Sequence, residues 1–195
     1  MAHYYTNDEV ISEPIQITFE YQGHKIIYMS DHGVFSREKI DFGSRVLLDT
    51  IDVGTAKSLL DVGCGYGTLG IALKVTHPEL KVDMVDVNRR AISLAKESIQ
   101  CNNLHGIEVK ESSVYEHVDE TFDLIVTNPP IRAGKEIVSA ILSGSYAHLN
   151  PGGRLVVVIQ KKQGAPSAKK LMEETFGYCE ILNREKGYYI LQSIK

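Results

Sequence analysis

Hydrophobic and polar positions follow a regular alternation between Ser58 and Ile159. Short apolar runs predict five buried strands, at Leu59–Val62, Val82–Val87, Ile107–Val109, Phe122–Val126 and Arg154–Ile159. Stretches with a helical period predict the intervening helices Thr68–Val75, Arg89–Cys101 and Glu136–Leu149, the last ended by Asn150-Pro-Gly-Gly153. Apolar strands separated by helices indicate a parallel, doubly wound α/β sheet.

The N-terminal part of the chain has a different pattern. Residues 15–30 alternate apolar and polar positions around Gln22-Gly23, which predicts a β-hairpin with a tight turn. A loop containing glycine follows, and Arg45–Ile51 predicts a short helix with its apolar residues on one side. We therefore expect residues 1–57 to form a hairpin and a pocket-closing segment, attached to an α/β core of residues 58–195.

The C-terminal end also departs from the alternation of strands and helices. Tyr178–Leu182 and Tyr188–Leu191 are rich in strand-forming residues, and only Asn183–Gly187 separates them. Strands joined so closely form a hairpin, so one of them must run antiparallel. No linker or repeat divides the chain. The prediction is a single Rossmann-like α/β domain over residues 1–195, with a mostly parallel seven-stranded sheet ending in an antiparallel hairpin.

Composition places the chain among ordinary globular proteins, because 43 % of its residues are hydrophobic and 24 % are charged. The segment Met1–Pro14 lacks the basic and apolar regions of a signal peptide. The longest aliphatic run, Leu155–Ile159, is far too short to cross a membrane. Cys64, Cys101 and Cys179 lack zinc-ligand spacing. We expect a cytoplasmic protein with reduced thiols, no metal site and no membrane association.

The formal net charge of -4 argues against broad electrostatic capture of nucleic acid. One segment is nevertheless basic, because no acidic residue occurs between Arg154 and Lys170. Its basic residues are Arg154, Lys161, Lys162, Lys169 and Lys170. Two interpretations stay open: a solvated loop and helix start, or a surface that faces RNA.

A glycine-rich loop, Asp61-Val-Gly-Cys-Gly-Tyr-Gly67, follows the first strand of the core and opens a helix. Glycine permits a positive φ and lets the backbone approach a ligand closely. Asp86 ends the second strand, where a carboxylate can accept hydrogen bonds from the ribose of an adenosine. Gly65–Gly70 also fits the dinucleotide pattern, so a nicotinamide dehydrogenase is a rival. Asp61 counts against it, because a carboxylate repels a pyrophosphate and attracts an ammonium group.

The segment Phe122–Ile131, which contains Asn128-Pro129-Pro130, carries the most specific chemistry. It ends the fourth strand, so Asn128 should lie beside the glycine loop, at the topological switch of the sheet. The prolines fix the backbone and supply no N–H. The turn therefore presents the Asn128 side-chain oxygen and the Pro129 carbonyl as acceptors. They suit methylation of an exocyclic amino group, because holding both hydrogens of the NH2 frees its lone pair for attack.

Together these segments resemble the class I S-adenosylmethionine-dependent methyltransferases of the small-subunit (16S) rRNA guanine-N2 group. The resemblance covers nearly the whole chain and rests on Gly33–Ser36 with Asp41–Ser44, Leu60–Gly67, Val85–Asn88 and Phe122–Pro130. The segments Gly33–Ser36 and Asp41–Ser44 make the resemblance specific to this group, because the other three segments occur across many amino-group methyltransferases. The resemblance implies S-adenosylmethionine as the cofactor. It implies guanine N2 of ribosomal RNA, free or in the small ribosomal subunit, as the substrate. We expect a monomer or a homodimer.

The resemblance also implies residue roles. Catalysis would fall to Asn128, Pro129 and Pro130. Cofactor contacts would come from Asp61, Gly63, Cys64, Gly65, Gly67, Asp86, Val87, Asn88, Ser113, Val114 and Asn128, with Cys64 a small spacer rather than a nucleophile. Substrate contacts would come from Phe35, Ser36, Ile131 and Arg132. Two residues depart from the group: Ile131 replaces an aromatic that stacks on a flipped base, and Ser113 replaces a frequent Asp or Asn.

Other functions fit part of the same pattern. The Asn-Pro-Pro turn also serves enzymes that methylate adenine N6 or a glutamine side chain in a protein. A nucleotide-binding module without turnover, or an NAD-dependent dehydrogenase, would retain the fold without this chemistry. The two-domain members of the group carry an extra N-terminal module. This chain would instead reach RNA through its own basic segment or within an assembling ribosomal particle.

Overall fold

The computed structural model describes residues 11–195, and its strands form two sheets. The smaller sheet is an antiparallel hairpin of β1 (Ile15–Tyr21) and β2 (His24–Ser30). The larger sheet comprises β3 (Ser58–Val62), β4 (Lys81–Asp86), β5 (Ile107–Glu111), β6 (Phe122–Thr127), β7 (Leu149–Gln160), β8 (Glu180–Glu185) and β9 (Tyr188–Ile194). Its order is β5-β4-β3-β6-β7-β9-β8; β9 pairs antiparallel with β7 and with β8, and the other pairs are parallel. The predicted fold class is confirmed.

Helices cover both faces of the larger sheet. They are α1 (Phe42–Thr50), α2 (Thr68–Thr76), α3 (Arg89–Cys101), α4 (Lys135–Gly144) and α5 (Ala165–Phe176). Successive strand residues point to opposite faces, so Leu59 packs with α1, α2, α3 and the hairpin, whereas Leu60 packs with α4 and α5. Within residues 11–195, no helix has the length and apolar character needed to cross a membrane.

Side chains of α3 hold the hairpin against the core. The amide of Ile27 donates to Asn102 Oδ1 at 3.0 Å, and the amide of Met29 donates to Ser98 Oγ at 2.8 Å. These bonds satisfy the backbone of β2 on its open edge. At the other end of α3, Asn88 Nδ2 donates to the Gly33 carbonyl at 3.1 Å. The segment after β2 is therefore fixed over the carboxyl ends of the parallel strands.

The first helix begins earlier than its apolar pattern predicts. It starts at Phe42 rather than Arg45, because Asp41 is its N-cap and Asp41 Oδ2 accepts from the Ser44 amide at 3.1 Å. It ends at Thr50, with Ile51 as its extended C-cap. A helix start placed by apolar periodicity alone misses such a polar first turn.

Two predicted boundaries near the C-terminus are wrong. Helix α4 ends at Gly144 rather than Leu149, and a 3-10 turn over Ser145–His148 leads directly into β7. Asn150–Gly153 therefore belongs to the irregular start of a strand rather than to a helix end. The final hairpin turn is also tighter than predicted, since Lys186 and Gly187 alone turn the chain, with φ angles of 46° and 84°. Positive φ at both positions is typical of a two-residue hairpin loop.

Candidate active site

A cavity of about 580 Å³ lies at the carboxyl ends of β3, β4 and β6. The sequence-predicted residues that line it are Phe35, Ser36, Asp61, Gly63, Cys64, Gly65, Asp86, Val87, Asn88, Ser113, Val114, Asn128, Pro129, Pro130, Ile131 and Arg132. Gly67 does not line it. Gly67 instead caps α2 with a φ of 94°, where an added Cβ would lie 2.6 Å from Ile71 Cδ1. Gly67 therefore has a structural role at the start of α2, behind the part of the loop that faces the cavity.

Backbone hydrogen bonds fix the glycine loop. The amides of Gly63 and Cys64 both donate to the Val85 carbonyl, at 2.9 and 3.1 Å, and tie the loop to β4. Gly63 and Gly65 have φ angles of 70° and 57°. A Cβ added at Gly65 would meet no atom within 4 Å. Gly65 is therefore required for its backbone conformation, and the space beside it is open to a ligand.

Asp61 is a buried carboxyl group with an unused acceptor. It is 1 % exposed, and its Oδ2 accepts from the Gly70 amide at 2.9 Å. Its Oδ1 has no hydrogen-bond partner among the described residues. Burial raises the pKa of Asp61 to about 7, against the Gly70 hydrogen bond and with a smaller contribution from the Asp86 charge. A buried acceptor of this kind favours a cationic or hydrogen-bond-donating ligand.

Asp86 lies across the loop from Asp61 and is held by backbone amides. Its Oδ2 accepts from the Gly65 amide at 2.8 Å and its Oδ1 from the Asn88 amide at 2.9 Å. Burial raises the pKa of Asp86, while these amides and that of Val87 oppose the rise. Each carboxylate oxygen can accept a further hydrogen bond, so a pair of hydroxyl groups can still bind here.

The thiol of Cys64 is unsuited to nucleophilic chemistry. It is buried, and Cys64 Sγ lies 3.4 Å from the Gly65 carbonyl. Burial, together with the charges of Asp86 and Asp61, raises the pKa of the Cys64 thiol well above its usual range. The thiol therefore stays protonated at neutral pH.

Asn128 is oriented by two acceptors from the start of α1. Its Nδ2 donates to Asp41 Oδ2 and to Ser44 Oγ, each at 2.9 Å. Because an ionised carboxylate only accepts hydrogen bonds, the atom facing Asp41 must be the amide nitrogen. Both amide hydrogens are thus used, and Asn128 Oδ1 is left for the cavity that Asn128 lines.

Asp41 and Ser44 are site residues that no sequence motif assigned a role. Both line the cavity, although they stand more than eighty residues before Asn128 in the chain. The Asp-x-x-Ser spacing, which is typical of a helix N-cap, is the sequence signal that could have found them. It would have predicted an earlier start for α1. Gln163 and Tyr188 are further lining residues that no motif indicated.

The segment over the cavity is fastened to the glycine loop. Tyr66 donates its hydroxyl proton to the Ser36 carbonyl at 3.1 Å, and Phe35 lines the cavity while remaining 48 % exposed. Ser36 and Val114, on opposite sides, adopt left-handed φ angles of 56° and 55°. For a β-branched residue such as Val114 this conformation is strained by about 1–3 kcal/mol. Such strain is concentrated in proteins at ligand-binding sites.

Comparison with known proteins identifies the family. Residues 25–192 match the family described as methyltransferase small domain. The chain belongs to this family. It is a methyltransferase that uses S-adenosylmethionine, and the dehydrogenase rival is thereby excluded.

Individual relatives match most of the chain. The uncharacterized protein YbxB of Bacillus subtilis is 41 % identical over 99 % of this chain and 98 % of its own length. The ribosomal RNA small subunit methyltransferase C of Photorhabdus laumondii is 34 % identical over 90 % of this chain. This methyltransferase spans about half the length of the methyltransferase C relatives that it matches, 52 % in that case.

Solved structures show the same fold. The Thermus thermophilus 16S rRNA N2 G1207 methyltransferase, solved with AdoMet and guanosine, superposes with a TM-score of 0.85 and 26 % identity, over 96 % of this chain and 52 % of that one. The ribosomal protein L11 methylase of Lactobacillus delbrueckii has a TM-score of 0.64 and 24 % identity, over 78 % of this chain and 77 % of that one. The comparison with the L11 methylase shows only that the two folds are similar.

Proposed function

We propose that this methyltransferase transfers a methyl group to the N2 amino group of a guanine in 16S rRNA. The observation that carries the proposal is the orientation of Asn128, whose amide nitrogen is bound by Asp41 and Ser44 so that Oδ1 serves the cavity. The small-subunit rRNA for which the methyltransferase C relatives and the T. thermophilus enzyme are named supports this choice of substrate.

The cavity offers a complementary group for each part of S-adenosylmethionine. The unused Oδ1 of Asp61 would receive the methionine ammonium group, and Asp86 would accept from the ribose hydroxyls. Val87 and Ser113 also line the cavity and would contact the adenine. The cofactor supplies an electrophilic methyl group on its sulfonium sulfur.

Asn128 Oδ1 and the Pro129 carbonyl would accept the two hydrogens of the target NH2. This removes the lone pair from conjugation with the ring and aims it at the methyl carbon. Asn128 Oδ1 and the Pro129 carbonyl would hold the amino nitrogen while the cofactor supplies the methyl group, and the N–H proton released from the methylated nitrogen would pass to solvent. Positioning replaces a strong base, consistent with the protonated thiol of Cys64.

Asp41 favours guanine over adenine. Its Oδ1 has no hydrogen-bond partner among residues 11–195, and Asp41 lines the cavity beside Asn128. Guanine presents an N1–H next to its amino group, which a carboxylate accepts. Adenine presents a lone pair at N1, which the same carboxylate repels. Phe35 and Tyr188 supply aromatic faces to the cavity, so a flipped base can stack although Ile131 is aliphatic.

The test asks which macromolecule accepts the methyl group. Labelled S-adenosylmethionine is incubated with small ribosomal subunits, with naked 16S rRNA and with ribosomal proteins, all from cells lacking this enzyme. We expect label in RNA from the wild type. We expect Asn128→Ala to lose about 100-fold or more of the transfer rate while it still binds the cofactor. Label in protein alone, or normal transfer by Asn128→Ala, would overturn the proposal.

A further inference from the structure

The structure divides the basic segment into two groups. Arg154 is bound within the fold, because its Nη2 donates to the carbonyl oxygens of Asp52 at 2.7 Å and Val53 at 3.0 Å. Lys169 and Lys170 each pair with a glutamate one turn further along α5, namely Glu173 and Glu174. The positive charges of Arg154, Lys169 and Lys170 therefore have partners within the protein, and they are not available to bind a ligand.

Lys161 and Lys162 belong to the second group. Both are exposed, and within residues 11–195 neither ammonium group has an ion pair. They form a 3-10 turn with Gln163, which lines the cavity. Their turn is anchored by the Lys161 amide, which donates to the Gly187 carbonyl at 2.8 Å.

The same contact brings a third lysine to the mouth of the cavity. Lys186 precedes Gly187, and its Nζ lies 4.9 Å from the centre of the Phe42 ring. The Phe42 ring is 5.5 Å from that of Tyr188, which lines the cavity. We call Lys161, Lys162 and Lys186 the rim lysines. The adjoining carboxylates are the exposed Glu185 and the cavity-lining Asp41, so three lysines against two carboxylates leave the rim with a net positive charge.

We infer that the rim lysines bind the RNA phosphates next to the methylated nucleotide. The inference rests on the proposed function, since the phosphates belong to the strand whose base enters the cavity. The net charge of -4 argues against general attraction of a polyanion, so local cations beside the mouth have to provide the attraction. Phe35 and Tyr188, the aromatic lining residues, provide faces on which bases stack, and a cationic rim with aromatic faces is the usual arrangement for single-stranded RNA.

The experiment measures binding of naked 16S rRNA at several salt concentrations, with the cofactor saturating. We expect Lys161→Ala/Lys162→Ala to weaken binding by about tenfold at low salt and to reduce the slope of log Kd against log salt by about 0.7 per lysine. Lys161→Arg/Lys162→Arg should retain the wild-type slope, because the charge is preserved. Cofactor affinity should not change in either variant.

The matched control is Lys169→Ala/Lys170→Ala, which removes the same charge from the neighbouring helix. Because these lysines are paired within α5, the RNA affinity and salt slope should stay at wild-type values. Equal effects of the two alanine pairs, or none from the rim pair, would overturn the inference. A wild type that neither binds nor methylates RNA would instead refute the proposed function. Loss of binding to an acidic ribosomal protein, with RNA binding intact, would assign the rim to protein.

Discussion

At the scale of single residues, the chemistry depends on which way one amide faces. The sequence indicates Asn128, because the Asn-Pro-Pro turn follows a strand of the core. It does not indicate how the amide is oriented, since the acceptors Asp41 and Ser44 belong to another element and meet Asn128 only in the folded chain. Local patterns find the residue to which we assign the chemistry, whereas its orienting partners require the tertiary structure.

Asp41→Asn tests this orientation. Asparagine is as good an N-cap as aspartate, so we expect α1 and the melting temperature to be preserved. The charge-assisted bond to Asn128 is weakened, and we expect kcat to fall by about tenfold with little change in cofactor affinity. Steady-state kinetics and calorimetric binding of S-adenosylmethionine measure the two effects separately. If this variant kept the wild-type kcat, Asp41 would act only as a helix cap and not in catalysis.

Asp61 should make cofactor binding dependent on pH. Its pKa is raised from 3.8 to about 7, so the carboxylate that attracts the ammonium group forms only as the pH rises through neutrality. We expect the affinity for S-adenosylmethionine to increase by about tenfold between roughly pH 6 and 8. Titration calorimetry across this range measures it. Asp61→Asn is the control and should bind weakly at every pH; a flat profile in the wild type would contradict the role of Asp61.

The same shift affects stability in the opposite direction. In the cofactor-free protein, Asp61 holds its proton up to about pH 7, whereas in the unfolded chain it loses the proton near pH 3.8. The folded state therefore binds more protons across that window. The contribution of Asp61 to the free energy of unfolding is full below the window and falls as the pH rises through it.

At the scale of elements, the apolar pattern predicts the core well and the junctions poorly. β3, α3 and β6 agree with their predictions within one residue, because buried strands and an amphipathic helix have strong periodic signals. The ends of α1 and α4 depend on polar caps and short 3-10 turns, which periodicity does not record. α5 was recognised only as a helix start, although its Pro166 lies in the first turn.

The junction of α1 with β9 can be tested through Gly43. A Cβ on Gly43 would lie 2.6 Å from Tyr188 Cε1 and 3.0 Å from Asp41 Oδ2. We expect Gly43→Ala to lower the free energy of unfolding by about 1–3 kcal/mol through overpacking. Urea denaturation measures the change. Adding Tyr188→Leu should remove most of the penalty, since the two sites are in contact; a stable Gly43→Ala protein would contradict this packing.

At the scale of the whole molecule, the parallel sheet brings distant segments of the chain to one edge. The glycine loop, Asp86 and the Asn-Pro-Pro turn meet there because the carboxyl ends of β3, β4 and β6 are neighbours in the sheet. This convergence follows from the predicted fold class. The segment Gly33–Ser36 and the rim lysines lie outside the parallel sheet, and the hairpin contacts with α3 and the short turn at Gly187 determine where they lie.

The most direct measurement of the central claim is the identity of the methylated nucleoside. Naked 16S rRNA and small subunits from cells lacking the enzyme are methylated in vitro, digested to nucleosides and analysed by mass spectrometry. We predict N2-methylguanosine from the wild type, and its absence when Asn128→Ala replaces the wild type. N6-methyladenosine, or any methylated nucleoside that does not derive from guanosine, would contradict the proposed substrate. It would also contradict the role given to Asp41 in selecting guanine.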